Sequence, residues 1–255
     1  MQRLTGTGNF VIEWGGEGPG AAQFLEPAGA AFDSEHRSFY VADAGNHRIQ
    51  QFTTTGALVI EWGSEGSGEG QFISPSAVFV DEDRKFVYVV DTGNHRVQKF
   101  TSLGIFLDQW GSEGSGNGQF QDPGGIARDD DGFVYISDTG NHRVQKFTSS
   151  GLYQRQWGIQ GDGEGQFQSP GGIVYEQSED RIYVVDTGNH RVQKFLTGGT
   201  FLREWGTEGS GEGQFRDPAG IAVDQAEFIF VADTGNHRVQ EFSLDGEFRA
   251  EFGGS

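Results

Sequence analysis

The sequence lacks several residue types and patterns on which common sites and architectures depend. It contains no cysteine, which excludes disulfides, thiolate zinc sites and a cysteine nucleophile. No stretch approaches the roughly 18 consecutive apolar residues of a membrane helix, and no apolar segment of the signal-peptide type follows Met1. We therefore expect no membrane partner and no signal peptide in this chain, and the composition assigns it to no compartment.

Basic residues are also scarce. The 18 Lys and Arg residues face 37 Asp and Glu residues, so the formal net charge is −19. A surface of this sign repels the phosphates of nucleic acids, which bind proteins largely through Lys and Arg. The charge favours solubility and attracts cations or basic proteins. The expected partners are therefore proteins or peptides, basic ones in particular, and not nucleic acids.

The chain repeats itself at a fixed period. Hydrophobic residues make up only 35% of it, a proportion often found in disordered chains, but 22 Phe and 5 Trp recur at regular places. The decapeptide DTGNHRVQKF occurs three times unchanged, and two further copies are close to it. A repeat of this kind predicts that each copy is one supersecondary unit stacked on its neighbours. The five copies lie at 42–52, 91–100, 138–147, 186–195 and 233–242.

Each period contains four segments that read as β-strands. Segments 86–91, 96–100 and 105–110, bounded by turn residues, read as strands, and a further strand follows the proline of each repeat, as at 220–224. A long loop rich in Gly and Glu then leads to the next period. Four antiparallel strands in 47–48 residues are typical of a β-propeller blade. The sequence therefore predicts an all-β protein, a β-propeller of four-stranded antiparallel blades.

The repeated motifs resemble NHL repeats. The resemblance rests on the run N-H-R-V/I-Q after a D-x-G turn, on the P-x-G-I-A start of the first strand and on the period, and it covers nearly the whole chain. It implies a propeller, commonly of six blades and most often used for binding. Some related propellers are lyases or lactonases with a metal in the central channel.

The repeats predict a single β-propeller over 1–255 with five full blades. Residues 1–15 align with 239–253, so the chain starts inside a repeat and has one extra c/d hairpin at its N-terminus. This hairpin can replace the C-terminal one, add outside it, or pair with another molecule through its unpaired edge, so self-association through the terminal strands is one option. The alternative to five blades is a six-bladed ring completed by oligomerisation. The start within a repeat and the near-identity of the copies favour an engineered, truncated or recently amplified array. The expected blades are about 16–63, 64–111, 112–158, 159–206 and 207–255.

The D-x-G-N-H-R motif is expected to be structural. The aspartate should accept hydrogen bonds from its own turn, and the glycine should supply a positive φ. The histidines should form blade-to-blade hydrogen bonds, and the arginines should pair with aspartate or carbonyl groups of the next blade. The residues concerned are Asp91, Asn94, His95, Arg96, Asp138, Asn141, His142, Arg143, Asp186, Asn189, His190, Arg191, Asp233, Asn236, His237 and Arg238.

The long Gly/Glu loops are the candidate binding surface. Their carboxylates should make one face of the molecule negative, and their glycines should leave carbonyl groups open. Weak Ca²⁺ binding is the one cofactor that this composition suggests, although the spacing matches no EF-hand. The candidate ligand-binding residues are Glu65, Glu69, Glu113, Asp162, Glu164, Glu208 and Glu212.

Catalytic signatures are missing. The sequence has no G-x-S-x-G, no H-E-x-x-H and no Walker motif, and nearly every polar residue of the repeat occurs in five copies, whereas catalysis needs an asymmetric set. In the first strands Arg128 and Glu176 are the odd members. We assign no catalytic or metal-ligating residue and predict a non-catalytic binding scaffold. The alternatives are a lyase- or lactonase-like enzyme with a channel metal, and a multivalent lectin that uses the tryptophans, which we expect instead to pack between blades.

Overall fold

The computed structural model describes residues 1–5, 9–224 and 227–254 of the chain, and of Leu4 only the backbone. Two compact units divide the chain, Met1–Pro123 and Gly124–Ser255. Both consist of antiparallel sheets whose strands hydrogen-bond in chain order, and we name the strands of each sheet a to d in that order. Among the residues described, no helix is both long and apolar enough to cross a membrane.

The first unit holds a two-stranded hairpin followed by two four-stranded blades. The hairpin is β1 (Gln2–Leu4) and β2 (Phe10–Glu13), and the loop after it contains the short parallel pair β3 (Gly16–Glu17) and β4 (Gln23–Phe24). Blade 1 comprises β5 (Pro27–Asp33), β6 (Ser38–Asp43), β7 (Arg48–Thr53) and β8 (Leu58–Trp62). Blade 2 comprises β9 (Pro75–Asp81), β10 (Phe86–Asp91), β11 (Arg96–Thr101) and β12 (Phe106–Trp110).

The second unit holds three blades, the first of which starts at the last residue of the first unit. Blade 3 is β13 (Pro123–Arg128), β14 (Val134–Asp138), β15 (Arg143–Phe147) and β16 (Tyr153–Trp157). Blade 4 is β17 (Pro170–Glu176), β18 (Arg181–Asp186), β19 (Arg191–Leu196) and β20 (Phe201–Trp205). Blade 5 is β21 (Pro218–Val223), β22 (Phe228–Asp233), β23 (Arg238–Ser243) and β24 (Phe248–Gly253). The prediction of an all-β propeller with five four-stranded blades is confirmed.

Two kinds of connection recur in every repeat. A one-turn 3₁₀ helix joins strands b and c, at Ala44–Asn46, Thr92–Asn94, Thr139–Asn141, Thr187–Asn189 and Thr234–Asn236. A longer segment connects strand d, or the N-terminal hairpin, to strand a of the following blade. We call these segments the approach loops; they span residues 14–26, 63–74, 111–122, 158–169 and 206–217.

Strand b carries apolar residues on both faces of its sheet. In β10 the four residues Val87, Tyr88, Val89 and Val90 are all fully buried. Strand d is different, since in β12 only the two terminal residues are partly buried and the three between them are exposed. A near-continuous apolar run therefore marks strand b, and a mixed sequence marks strand d, as expected for a sheet covered on both faces.

An aromatic joint connects consecutive blades. In the first unit, the Trp62 ring of blade 1 lies 6.0 Å from the Tyr40 ring of its own blade and 5.9 Å from the Phe100 ring of blade 2. The Tyr40 hydroxyl donates a hydrogen bond of 3.2 Å to the Ser102 carbonyl in the c–d turn of blade 2. The second unit repeats this arrangement around Trp157 and Trp205. Trp62, Trp157 and Trp205 therefore pack between blades.

The c–d turn needs glycine where it meets the tryptophan of the preceding blade. Gly104 has a φ of +75°, and a Cβ at this position would lie 2.7 Å from the Trp62 ring. The indole Nε1 of Trp62 is itself buried and has no hydrogen-bond partner. The Trp62 indole thus contributes through the packing of its ring and not through a hydrogen bond.

Replacing Trp62 tests this reading of the joint. We expect Trp62→Ala to lower the free energy of unfolding by about 3–5 kcal/mol, because it leaves a cavity beside Phe100. Trp62→Phe should cost only about 1–2 kcal/mol, because it keeps an aromatic ring and loses no hydrogen bond. Urea denaturation followed by circular dichroism gives both values. Equal losses in the two variants would contradict a packing role.

The buried tyrosines predict a distinct response to alkaline pH. Burial, with a smaller contribution from the negative charge of Asp33, raises the pKa of Tyr40 to about 12. Burial likewise raises the pKa of Tyr183. Their hydroxyls ionise near pH 10 when the chain unfolds, so stability should be complete below about pH 10 and fall between about pH 10 and 12. A titration at 295 nm should show these phenols ionising only with unfolding; ionisation near pH 10 in the folded protein would contradict it.

Candidate functional site

The turn between strands b and c is built differently from the sequence-based expectation. The histidine, not the glycine, has the left-handed backbone, and φ of this residue lies between 52° and 56° in the five turns. Gly93 has no positive φ. It is required because a Cβ there would lie 2.4 Å from Cγ2 and 2.8 Å from the carbonyl oxygen of Ile73. The glycine therefore permits a close approach between the turn and the approach loop.

The aspartate of the motif is the centre of a buried hydrogen-bond network. In blade 2, Oδ2 of Asp91 accepts hydrogen bonds from Asn94 Nδ2 at 2.9 Å, Arg96 Nε at 2.7 Å and Gln98 Nε2 at 3.0 Å. Its Oδ1 accepts from the backbone N–H of Ile73 at 2.8 Å. The expectation that the aspartate accepts hydrogen bonds from the backbone of its own turn is wrong. The turn contributes only the Asn94 side chain, and the other donors belong to strand c and the approach loop.

The arginine is buried and holds the approach loop of its own blade. Its guanidinium donates to the carbonyl oxygens of Ser67, Gly68 and Gln71 at 2.8–2.9 Å, and to Oε1 of Gln109 at 2.8 Å. The expected contact with the next blade is therefore wrong. The other four arginines make the same ion pair at 2.6–2.8 Å, in the pairs Arg48–Asp43, Arg143–Asp138, Arg191–Asp186 and Arg238–Asp233.

Further side chains bind the remaining polar groups of the loop. Asn94 donates to the Gly66 carbonyl at 2.9 Å, and Gln98 donates to the Gln71 carbonyl at 2.7 Å while accepting from the Gly70 N–H at 2.9 Å. The carbonyls of Gly66 and Gly68, which we expected to be open, are thus already hydrogen-bonded. Within residues 1–5, 9–224 and 227–254, no group of three or more His, Asp and Glu residues is arranged to hold a metal ion.

The histidines of blades 1 to 4 link their turns to the approach loop of the following blade. Nδ1 of His47 accepts a hydrogen bond of 3.0 Å from the backbone N–H of Ser74, and Nδ1 of His95 accepts one of 3.2 Å from Asp122. His142 and His190 make the same bond at 3.1 and 3.3 Å. Because the partner is a donor, Nδ1 is unprotonated in each of these bonds. His36 lies outside the motif and contacts Asp33 at 2.9 Å.

The candidate ligand-binding carboxylates lie on the outside of these fixed loops. All seven are solvent-exposed, while the phenylalanine that ends each loop segment is buried. In the loops 63–74 and 158–169, several carbonyl groups therefore bond to the blade while the carboxylates face solvent. The exposed residues are Glu65, Glu69, Glu113, Asp162, Glu164, Glu208 and Glu212.

A second polar cluster, on the a–b side of the blades, was missed at the sequence level. In blade 3 the Tyr135 hydroxyl donates to Asp129 Oδ2 at 2.6 Å and to the Thr197 carbonyl of blade 4 at 3.2 Å, and Lys146 Nζ lies 3.3 Å from Asp129. Burial first, and then the hydrogen bond with Asp129, raises the pKa of Tyr135. The recurring Tyr of strand b and Lys of strand c were its signal. The cluster connects blade 3 to blade 4.

Of the two odd residues of the first strands, Glu176 has a structural role. Glu176 is buried and accepts hydrogen bonds from the backbone N–H groups of Ser178 and Glu179, so it closes the a–b turn. Asp129 serves the same turn in blade 3, where it accepts from the Phe133 N–H at 2.8 Å. Arg128 is partly buried at the end of β13. The substitution of Glu for Asp at 176 therefore has a structural explanation.

The fold and the repeated loop–turn network define a tandem-repeat β-propeller. The NHL repeat profile matches residues 24–52, 72–100, 120–147, 167–195 and 215–242, which is more than half of the chain. The chain belongs to the NHL-repeat family. None of the curated proteins compared with it matches.

Solved structures share the fold at low sequence identity. A streptogramin B lyase has a TM-score of 0.67 and 14% identity, over 89% of this chain and 68% of that one. A chain of a nidogen/laminin complex has a TM-score of 0.69 and 16% identity, over 89% of this chain and 80% of that one. A structural genomics protein of unknown function from Bacteroides thetaiotaomicron has a TM-score of 0.70 and 18% identity, over 90% of this chain and 58% of that one. Because these neighbours include a lyase and a protein from a binding complex, the similarity identifies the fold alone.

Removing the charge of Asp91 should show how strongly the network stabilises the blade. We expect Asp91→Asn to lower the free energy of unfolding by about 3–5 kcal/mol, because Arg96 then keeps a buried charge without its partner. Adding Arg96→Gln should restore part of the loss. The exposed Asp131→Asn is the matched control and should change stability by less than about 0.5 kcal/mol. Urea denaturation measures all three, and an Asp91→Asn loss no larger than the control's would contradict the role of the ion pair.

Proposed function

We propose that this chain is a non-catalytic binding scaffold whose approach loops present carboxylates to a basic protein or peptide. The observation that carries the proposal is the exposure of seven carboxylates on loops whose backbone is fixed by buried side chains. A binding surface that is already ordered loses little conformational entropy when a partner binds. The net charge of −19 adds long-range attraction for a basic partner.

Repetition supports binding to an extended or multivalent partner. Blade 2 carries Glu65 and Glu69 on its approach loop, and blade 5 carries Glu208 and Glu212 at the same loop positions. Single exposed ion pairs contribute little to affinity. Once one contact to a partner has formed, the next forms at a high effective concentration. Several weak sites that engage one partner therefore bind it more tightly than any single site does.

The internal use of the repeat's polar residues supports a non-catalytic role. The side chains of Asp91, His95 and Arg96 form hydrogen bonds and an ion pair within or between blades. Their counterparts in other repeats make the same ion pairs and histidine bonds. An enzyme needs one place where an acid, a base and an electrophilic group converge. A lectin reading is also disfavoured, since the tryptophan rings pack at the joints between blades.

A charge-matched pair of variants tests the proposed surface. The loop variant carries Glu65→Gln, Glu69→Gln, Glu208→Gln and Glu212→Gln, and the control carries Glu13→Gln, Asp83→Asn, Asp131→Asn and Glu247→Gln, all at exposed positions outside the approach loops. The probe is a fluorescent Lys/Arg-rich peptide, measured by anisotropy at low and moderate salt. We expect the loop variant to weaken binding about tenfold and the control to weaken it by less than about twofold.

The salt dependence and the control decide the outcome. Affinity of the unaltered protein should fall as salt rises, because exposed charges are screened. Equal losses in the loop variant and the control would mean that net charge alone attracts the peptide, and would contradict a specific loop surface. No binding of the peptide at low salt would contradict the basic-partner proposal.

A further inference from the structure

The side of blade 5 that faces away from blade 4 is an apolar surface that is only partly buried. In blade 1 the corresponding face holds Tyr40, Ala42 and Ile49, which are fully buried against blade 2. The strand registers place a matching set in blade 5, and none of its members is buried. We call this set the C-terminal end face; it consists of Ala222, Phe230, Ala232, Val239 and Phe252.

Phe252 shows what this face lacks. At the preceding joint, the Trp205 ring of blade 4 lies 5.9 Å from Phe242 of blade 5. Phe252 stands in blade 5 where Trp205 stands in blade 4, paired with Val239 as Trp205 is paired with Val192. Its ring contact is with Phe230 of its own blade, at 6.4 Å. The residue that should join blade 5 to a following element thus contacts only its own sheet among the ring pairs described.

The N-terminal hairpin forms the opposite kind of end. One side of the hairpin packs on blade 1, where the Trp14 ring lies 6.0 Å from Phe39 and 6.4 Å from Phe52. Its other side displays Phe10, which is 60% exposed. Among the described residues β1 pairs only with β2, so its second edge has no strand partner. We call the surface around Phe10 the N-terminal end face.

Internal joints show what Phe10 is placed to contact. Phe10 pairs with Leu4 in the register that Phe106 has with Phe100 in blade 2. Phe106 packs against the apolar cluster that includes Tyr40, Ala42 and Ile49 of the preceding blade. Phe248 of blade 5 likewise packs against the cluster that includes residues of blade 4. The position of Phe10 therefore normally meets the kind of surface that the C-terminal end face presents.

We propose that the C-terminal end face of one copy of this chain packs on the N-terminal end face of a second copy. The second copy is the fitting partner because the two end faces are the two halves of an interface that the chain already forms between its own blades. The contact is head to tail, so one copy can contact two others through different surfaces. The hairpin of the second copy takes the place that strands c and d of a next blade take inside the chain.

Sedimentation velocity over a wide concentration range tests the association. We expect species with multiples of the 27.8 kDa chain mass that increase with protein concentration. Association should strengthen at higher salt, since copies with a net charge of −19 repel one another. A monomer at every concentration and at both moderate and high salt would overturn the proposal.

Two single variants and their mixture test the head-to-tail geometry. Phe252→Asp blocks the C-terminal end face and Phe10→Asp blocks the N-terminal end face, so each variant alone should be monomeric. Mixed in equal amounts they should form a dimer and nothing larger, because one intact face of each kind remains. Ala222→Asp, at an exposed position of the C-terminal end face, should act like Phe252→Asp without disturbing the core. Circular dichroism melting checks that all variants are folded.

A matched control separates the end faces from general surface hydrophobicity. Leu103 is 66% exposed in the c–d turn of blade 2, outside both end faces. Leu103→Asp should leave association unchanged. Loss of association in this control, persistence of association in Phe252→Asp or Phe10→Asp, or failure of the two variants to dimerise when mixed would each overturn the proposed contact.

Discussion

The buried ion pair between the aspartate and the arginine of each repeat is the interaction on which the rest of the structure depends. Asp91 and Arg96 are both buried, and a lone charge at either place would be costly. The pair compensates both charges and uses their remaining donors and acceptors to hold the approach loop. The loop then places Phe72 beside Phe100 in the core, and its carboxylates toward solvent. One polar contact thus controls both the core and the proposed binding surface.

Much of the fold could be predicted because most sequence spacings between the recurring residues are the same in every repeat, and the variation is confined to one short loop. From each Trp to the Phe of the next approach loop the spacing is constant, and the structure explains it, since Trp62 and Phe72 both contact Phe100. Strand b was easy to locate in the sequence, because burial on both faces gives it a nearly continuous apolar run. The exposed loop carboxylates followed from composition, since charged side chains on Gly-rich loops have no core to enter.

The partners of the polar residues could not be predicted, and near-identical repeats are the reason. Arg96 could meet the carbonyl of Gly68 in its own approach loop or that of Gly116 in the next, and both loops read G-S-E-G-S-G. Only the three-dimensional arrangement distinguishes them. The positive φ of His95 was missed because glycine usually takes that conformation. Here Gly93 is needed for close approach instead, a requirement imposed by Ile73 from 20 residues upstream.

The aromatic joints also make tryptophan fluorescence a probe of the contacts between blades. Trp62, Trp157 and Trp205 lie in nearly the same surroundings, each between a tyrosine of its own blade and a phenylalanine of the next. Their emission therefore reports whether neighbouring blades are in contact, joint by joint, when single tryptophans are retained. In blade 5 the position equivalent to these tryptophans is occupied by Phe252, so the C-terminal end face contributes no tryptophan emission. A tryptophan introduced there would emit as the internal joints do only while that end is covered.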